Sequence, residues 1–324
     1  MTDGMAGHIN LVTGAAGFIG SHLVDSLLQA GQHVIGLDNL SLGSLDNLRL
    51  ALAHARFQFL EADLNDVKRC EQLLESAVPS PIETIWHFAA NSDIAAGAVD
   101  PEVDLRNTFM STFQALALAR CFGIRKFAFA SSSAIYGAHA DALTEETGPL
   151  LPISNYGAMK LASEAIISAA LETHLLQAWI FRFPNVVGPR ATHGVIHDFI
   201  EKLRRNPSEL TVLGDGRQEK PYLHVRELVE AMFFIYHRAN EQMNCFNIAP
   251  SGGSTTVREI AESVVAVFAP EAAIRYTGGE KGWPGDVPRF SYDIAKLTAL
   301  GWRSRWSSAE AVLRAIRESA EELA

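Results

Sequence analysis

The chain has 324 residues, more than one typical domain and few for two large ones, which points to one large unit with a smaller lobe attached. Hydrophobic residues make up 48% and charged residues 20%, enough for a buried core, so disordered, collagen-like and low-complexity classes are excluded. Lys and Arg total 27 against 37 Asp and Glu, a formal net charge of −10 without a basic run, which argues against nucleic acid or an anionic membrane surface as partner.

The first half alternates strand-like and helical patterns. Ile9–Val12 reads as a strand, followed by a glycine turn and an apolar-periodic helix over Phe18–Ala30. Further strands are expected at His33–Leu37, Phe57–Leu60, Thr84–Phe88, Lys126–Ala130 and Trp179–Arg182. Helices fill the gaps at Val67–Ser76, Val103–Cys121 and Tyr156–Thr173. Near-continuous apolar strands alternating with helices predict an α/β fold, a doubly wound parallel sheet covered on both faces. From about Asn185 the rhythm changes, and Pro184, Pro189, Pro207 and Gly214-Asp215-Gly216 interrupt it. Helices at Val225–His237, Val257–Phe268 and Ser307–Leu323 and a strand at Cys245–Ile248 are expected there. The division this suggests is a Rossmann domain over residues 1–184 with a return strand near 223–249. A smaller α+β lobe would then comprise residues 185–222 and 250–324. The apolar runs are strand-length, the N-terminus does not resemble a signal peptide, and Cys70, Cys121 and Cys245 form no CxxC pair. A reducing cytoplasm without membrane contact is the expectation.

Chemistry first enters at Thr13-Gly14-Ala15-Ala16-Gly17-Phe18-Ile19-Gly20, between the first strand and the first helix. Small residues in a GxxGxxG spacing let backbone N–H groups and the helix N-terminus approach a pyrophosphate. The second strand leads into Asp38, where a carboxylate would bind an adenosine ribose 2′-hydroxyl and repel a 2′-phosphate, favouring NAD over NADP. Asp63-Leu64 and Phe88-Ala89-Ala90 follow the third and fourth strands, at carboxyl ends where ligands of open sheets collect. Tyr156 and Lys160, four residues apart, share one helical face. Beside an oxidised nicotinamide, the Lys160 ammonium would favour the Tyr156 phenolate and bring the phenol, ordinarily near a pKa of about 10, toward the range of a general base. Ser131-Ser132-Ser133 stands at another strand end and could share a hydrogen bond with Tyr156 and a substrate oxygen.

These motifs resemble the extended short-chain dehydrogenase/reductase family, in its nucleotide-sugar epimerase/dehydratase group. The resemblance also rests on Asp38-Asn39-Leu40, His87-Phe88-Ala89-Ala90, Ser131 to Gly137, Tyr156 to Lys160 and Arg182 to Arg190. Gly214-Asp215-Gly216, Gly285-Asp286-Val287-Pro288 and Leu300-Gly301-Trp302 complete it, in family order from Ile9 to Trp302. It implies that Tyr156 is the base, Lys160 its electrostatic partner and nicotinamide-ribose ligand, and Ser132 the catalytic hydroxyl. It places Gly14, Gly17, Phe18, Ile19, Gly20, Asp38 and Asn39 on NAD, with Asp63, Leu64, Phe88, Ala89, Ala90 and Ser131 beside them. Asn107 is expected to brace the same site. Ser133, Asn185, Lys220, Lys281 and Asp286 fall on the nucleotide-sugar side. The family also implies a homodimer formed through the helices at Val103–Cys121 and Tyr156–Thr173.

Departures from the family pattern narrow the reaction. Dehydratases of the group carry an Asp-Glu pair directly after the catalytic hydroxyl, and decarboxylases a glutamate at the second place; here these are Ser133 and Ala134. The expected activity is therefore epimerisation of a nucleotide-diphosphate sugar, at C4 through a transient 4-keto intermediate, with UDP as the expected nucleotide. The alternatives are a dehydratase, decarboxylase or oxidoreductase of the same family, or a non-catalytic dinucleotide-binding regulator. Lys220 stands where relatives have an arginine and Trp283 where epimerases of the group have another, with Lys281 two residues earlier. Asn91-Ser92-Asp93 also departs, and is expected to face the sugar. His193 and His197 read as loop or pocket-wall residues, since two histidines without an acidic partner make no metal site. Trp302 to Trp306 reads as packing beneath the last helix.

Overall fold

The computed structural model describes residues 9–77, 81–139, 141–280, 282 and 287–322. They divide into two compact units. The first comprises the chain up to Ile135, Asn155–Arg182 and Tyr236–Phe246; the second comprises Tyr136–Ser154, Phe183–Ile235 and the chain from Asn247 onward.

The first unit is built on a seven-stranded parallel sheet. Its strands are β1 (Ile9–Thr13), β2 (His33–Asp38), β3 (Phe57–Glu61), β4 (Ile82–His87), β5 (Lys126–Ala130), β6 (Gln177–Arg182) and the segment Met243–Asn247. Their spatial order is Met243–Asn247, β6, β5, β4, β1, β2, β3. The middles of the strands are apolar because helices cover both faces, and Leu11, Ile35, Ile85, Phe127 and Ile180 share one core with Leu116, Ala119 and Ile167 of the flanking helices. The order reverses at β1, whose neighbours are β2 and β4, which opens a crevice at the carboxyl ends. The register puts Thr13 opposite both Leu37 and His87, so Gly14, Asp38 and Phe88 emerge at one level.

The helix expected over Val103–Cys121 is interrupted. Pro101–Asp104 is a helical turn, Leu105–Met110 is π-helical, and Ser111–Cys121 resumes the α-helix. The Ser111 hydroxyl lies 2.9 Å from the Asn107 carbonyl and 3.0 Å from that of Thr108, and the Thr112 hydroxyl donates to the latter at 2.9 Å. Hydroxyls that bond back into the preceding turn offer its carbonyls an alternative to the regular ladder. Sequence periodicity also passes over the short helix Ile94–Val99, which Asp93 caps by accepting from the Ala96 N–H at 3.0 Å.

The second unit contains short two-stranded pairings. Asn185–Val187 runs parallel to Tyr222–His224, Glu209–Val212 parallel to Ala273–Tyr276, and Glu219–Lys220 antiparallel to Thr255–Thr256. Helices Val195–Arg205, Val257–Phe268 and Ser308–Glu322 bury Phe199, Leu203, Ile260, Val264, Val312 and Ile316 with Leu210 and Val212. Thr256 and Glu259 close a reciprocal capping box at the start of Val257–Phe268. Among the described residues no helix is long and apolar enough to cross a membrane, and no group of three or more His, Cys, Asp or Glu could hold a metal ion.

Candidate active site

The turn after β1 is as tight as a backbone allows. Gly14 has φ +69°, and a Cβ there would stand 2.7 Å from the Ala89 nitrogen. A Cβ on Gly20 would stand 2.0 Å from the Gly14 carbonyl oxygen, so the first turn of helix Phe18–Gln29 rests directly on the loop before it. That helix has no side-chain cap and no acidic residue in its first turn, which leaves its positive end open to an anion. Asp38, buried at the end of β2, accepts from the Ala16 N–H at 2.9 Å and the Leu40 N–H at 2.8 Å. Burial pushes its carboxyl above the usual range while those N–H groups pull it back. Asn39 is exposed beside it. Asp63 accepts from the Asn65 N–H at 2.8 Å, Leu64 is buried, and Phe88, Ala89 and Ala90 are partly exposed at the end of β4.

Beneath the turn runs a chain of buried polar groups. The Thr13 hydroxyl meets His87 Nδ1 at 2.7 Å, His87 Nε2 meets the Thr112 hydroxyl at 3.1 Å, and Ser163 donates to Thr112 at 3.0 Å. Full burial, and then the charge of Lys160, lower the His87 pKa to about 3, so its ring is neutral.

Tyr156 and Lys160 lie on helix Asn155–Leu171, and Ser132 follows β5. Tyr156 is half-buried and hydrogen-bonded to the Ser132 hydroxyl. Lys160 is buried, donates to the Ala130 carbonyl at 2.6 Å and lies 5.7 Å from the centre of the Tyr156 ring. Burial drives the pKa values of the two groups apart and inverts their usual order. The Tyr156 phenol rises to about 12, with the Ser132 bond lowering it and Asp104 raising it. Lys160 falls to about 7, against the pull of Glu164 and Asp104.

Several residues behind this trio escape sequence reasoning. Glu164, one turn beyond Lys160, takes Arg182 in a two-pronged buried pair, with Nε to Oε1 at 3.0 Å and Nη2 to Oε2 at 2.6 Å. Ser131, buried, donates to the same carboxylate at 2.5 Å, so Glu164 links the ends of β5 and β6. The signal was available: a glutamate at i+4 from Lys160 and an arginine closing an apolar strand are charges that need partners. Asn91 is buried and donates to Asp104 Oδ1 at 2.8 Å, whereas the sequence suggested it faces the sugar. Asn107 is exposed, and its buried neighbour Thr108 takes the inward place, accepting from the Asn91 N–H at 3.2 Å. Ser133 is partly exposed at the start of the turn after Ser132. In the second unit Asn185 is exposed and Lys220 is 8% exposed, while Lys281 and Asp286 lie outside the described residues.

A glycine cradle that any Cβ would fill, an uncapped helix start and a buried acid at the end of β2 fit a dinucleotide. The model of the NAD dependent epimerase/dehydratase family matches residues 10–249. The chain belongs to that family. It is a family enzyme acting on nucleotide sugars, and NAD is its cofactor. A UDP-glucose 4-epimerase of Mycolicibacterium smegmatis is 32% identical over 94% of this chain and 96% of its own. A UDP-glucuronic acid decarboxylase of Arabidopsis thaliana is 29% identical over 95% of this chain and 69% of its own. A crystal structure of a UDP-galactose 4-epimerase superposes with a TM-score of 0.85 at 35% identity, covering 98% of this chain and all of that one.

Proposed function

We propose that the protein is an NAD-dependent epimerase that inverts C4 of a nucleotide-diphosphate sugar through a transient 4-keto sugar, with UDP as the nucleotide. The observation that carries this reading is the Ser132–Tyr156–Lys160 constellation combined with Ser133 and Ala134 directly after the serine. Neither side chain can serve as an acid or base for removing water or for managing a carboxyl group, so the chemistry is limited to oxidation and re-reduction of one carbon.

In this reading Gly14, Gly17, Phe18, Ile19 and Gly20 seat the pyrophosphate, Asp38 and Asn39 the adenosine ribose, and Asp63, Leu64, Phe88, Ala89 and Ala90 the adenine side. NAD held by these residues would supply the hydride acceptor for C4 and the donor for its return. Ser132 donates to or accepts from the C4 oxygen and aligns it with Tyr156. Tyr156 takes the hydroxyl proton as the C–H bond breaks and gives it back to the ketone oxygen when the opposite face is reduced. Lys160 holds the phenolate and anchors the nicotinamide ribose. Asn185 and Lys220 of the second unit grip the diphosphate, which leaves the sugar free to turn over between the two half-reactions. Leu105 and Phe113, 44% and 45% exposed on the segment Val103–Cys121, support a homodimer through that segment and the helix bearing Tyr156. A cytoplasmic location accords with three widely spaced cysteines that form no CxxC pair.

The test is incubation of purified protein, without added cofactor, with a panel of UDP-, GDP-, CDP-, ADP- and dTDP-sugars, products being separated and weighed. A new product of unchanged mass supports epimerisation and names the nucleotide. Loss of water or carbon dioxide overturns it in favour of a dehydratase or decarboxylase. Tyr156→Phe should keep NAD bound and abolish turnover; unchanged turnover overturns the mechanism.

A further inference from the structure

Asp104 is 0% exposed, and its Oδ2 has no hydrogen-bond partner. Its Oδ1 is held by Asn91 alone, and Asn91 is fixed in turn by bonds to the Asp93 backbone, its Nδ2 donating to the Asp93 carbonyl at 2.8 Å and its Oδ1 accepting from the Asp93 N–H at 3.1 Å. The other oxygen points at Gly97: a Cβ there would stand 1.8 Å from Oδ2. Asn155, the residue before Tyr156, donates to the Gly97 carbonyl at 2.9 Å, which ties the cover over Asp104 to the first turn of the helix bearing Tyr156 and Lys160. A carboxyl enclosed in this way costs stability, because desolvation is not repaid by a full set of donors. It therefore calls for a role.

The charges around it narrow that role. The Asp104 charge raises both the Tyr156 phenol and Lys160, while burial raises its own carboxyl and the Asn91 hydrogen bond and the Lys160 charge pull it back down. Glu164, the other carboxylate that acts on Lys160, is already matched by the two-pronged Arg182 pair. His87 is neutral, Asp93 is exposed on the loop after β4, and helix Ile94–Val99 carries no titratable side chain. Arg106, on the π-helical turn that follows, is exposed. Among the described residues that leaves Asp104 as the buried carboxyl near the pair without a cationic hydrogen-bond partner.

We propose that Asp104 is a positioning residue whose negative charge holds the proton on the Tyr156–Lys160 pair and so fixes the pH range in which the pair works. This rests on the assignment of Tyr156 as the base. Removing a negative charge makes proton loss easier from both groups, so the acid and alkaline limbs move together to lower pH. Asp104→Asn keeps the shape and removes the charge. The kcat–pH profile of the NAD-loaded enzyme should shift to acid by about one unit, the effect of one charge across a partly shielded interior. Asn91→Ala strips the carboxylate of its donor, favours its protonated form, and should shift the profile the same way by a smaller amount. This second variant keeps the test open if the first fails to fold. Tyrosine absorbance at 295 nm, compared with that of Tyr156→Phe, reads the same ionisation without turnover. A lower kcat with both limbs in place means that Asp104 only supports the fold, and the proposal fails. If Tyr156→Phe itself turns over normally, the underlying mechanism has failed instead.

Discussion

Replacing Lys160 by Met tests the division of labour between the two groups. In the wild-type protein the pair gives up its first proton near pH 7, because burial brings Lys160 to about that value. A proton lost from a coupled pair belongs to the pair, and the arrangement with ammonium and phenolate is the one that can take a substrate proton. The rate should therefore level off above about pH 7. Without Lys160 the sole titrating group is Tyr156, which burial, Ser132 and Asp104 hold at about 12. At pH 8 a phenol of that pKa is ionised in about one molecule in 10⁴, which bounds the expected deficit in kcat from above. The variant's log kcat should climb by one per pH unit from pH 6 to 10 with no plateau. The assay is chromatographic turnover of the nucleotide sugar at saturating NAD across that range. A flat profile in Lys160→Met, or a rate within tenfold of wild type at pH 8, would refute the reasoning.

The remaining predictions concern the frame around the pair. Gly20→Ala drives a Cβ to 2.0 Å from the Gly14 carbonyl and should weaken NAD by at least about tenfold, read as a smaller NAD-induced rise in melting temperature. Glu164→Gln leaves Arg182 buried without its counter-charge, a loss of about 3–5 kcal/mol, or on the order of 10 °C in Tm. A melt within 2 °C of wild type would show the pair to be dispensable. Lys220→Ala should raise the substrate KM about tenfold or more with kcat little changed, as expected for one charge-assisted contact to a diphosphate; an unchanged KM removes Lys220 from the site.

The sheet was legible because its strands are short apolar runs in a helical alternation, and β5 matches the sequence reading residue for residue. The glycine turn, Asp38, Ser132, Tyr156 and Lys160 were legible for a related reason. Each sits at a strand end or at an i,i+4 spacing, and local spacing fixes where such a side chain stands. The π-helical turn at Leu105–Met110 shows where this stops, because it interrupts the regular step of about 100° per residue that helical spacing assumes. Asp104, Asn91 and Glu164 were not legible as a set. Their burial depends on partners 13 or 18 positions away, Asn91 for Asp104 and Arg182 for Glu164, and periodicity records that a position is inside without recording what it meets there.

The buried chain under the nucleotide turn takes its direction from the bond that Thr112 makes to the helix. The Thr112 hydroxyl spends its proton on the Thr108 carbonyl at 2.9 Å, so His87 must donate from Nε2 and leave Nδ1 bare. Bare Nδ1 requires the proton of Thr13, whose oxygen then faces the N–H groups of Phe88 and Ala89, each at 3.3 Å. Like water in ice, every bond has a fixed sense once one is fixed. The floor of the dinucleotide turn thus orders its hydrogens as one linked chain. A valine at position 13 would take away the one proton on which that order depends.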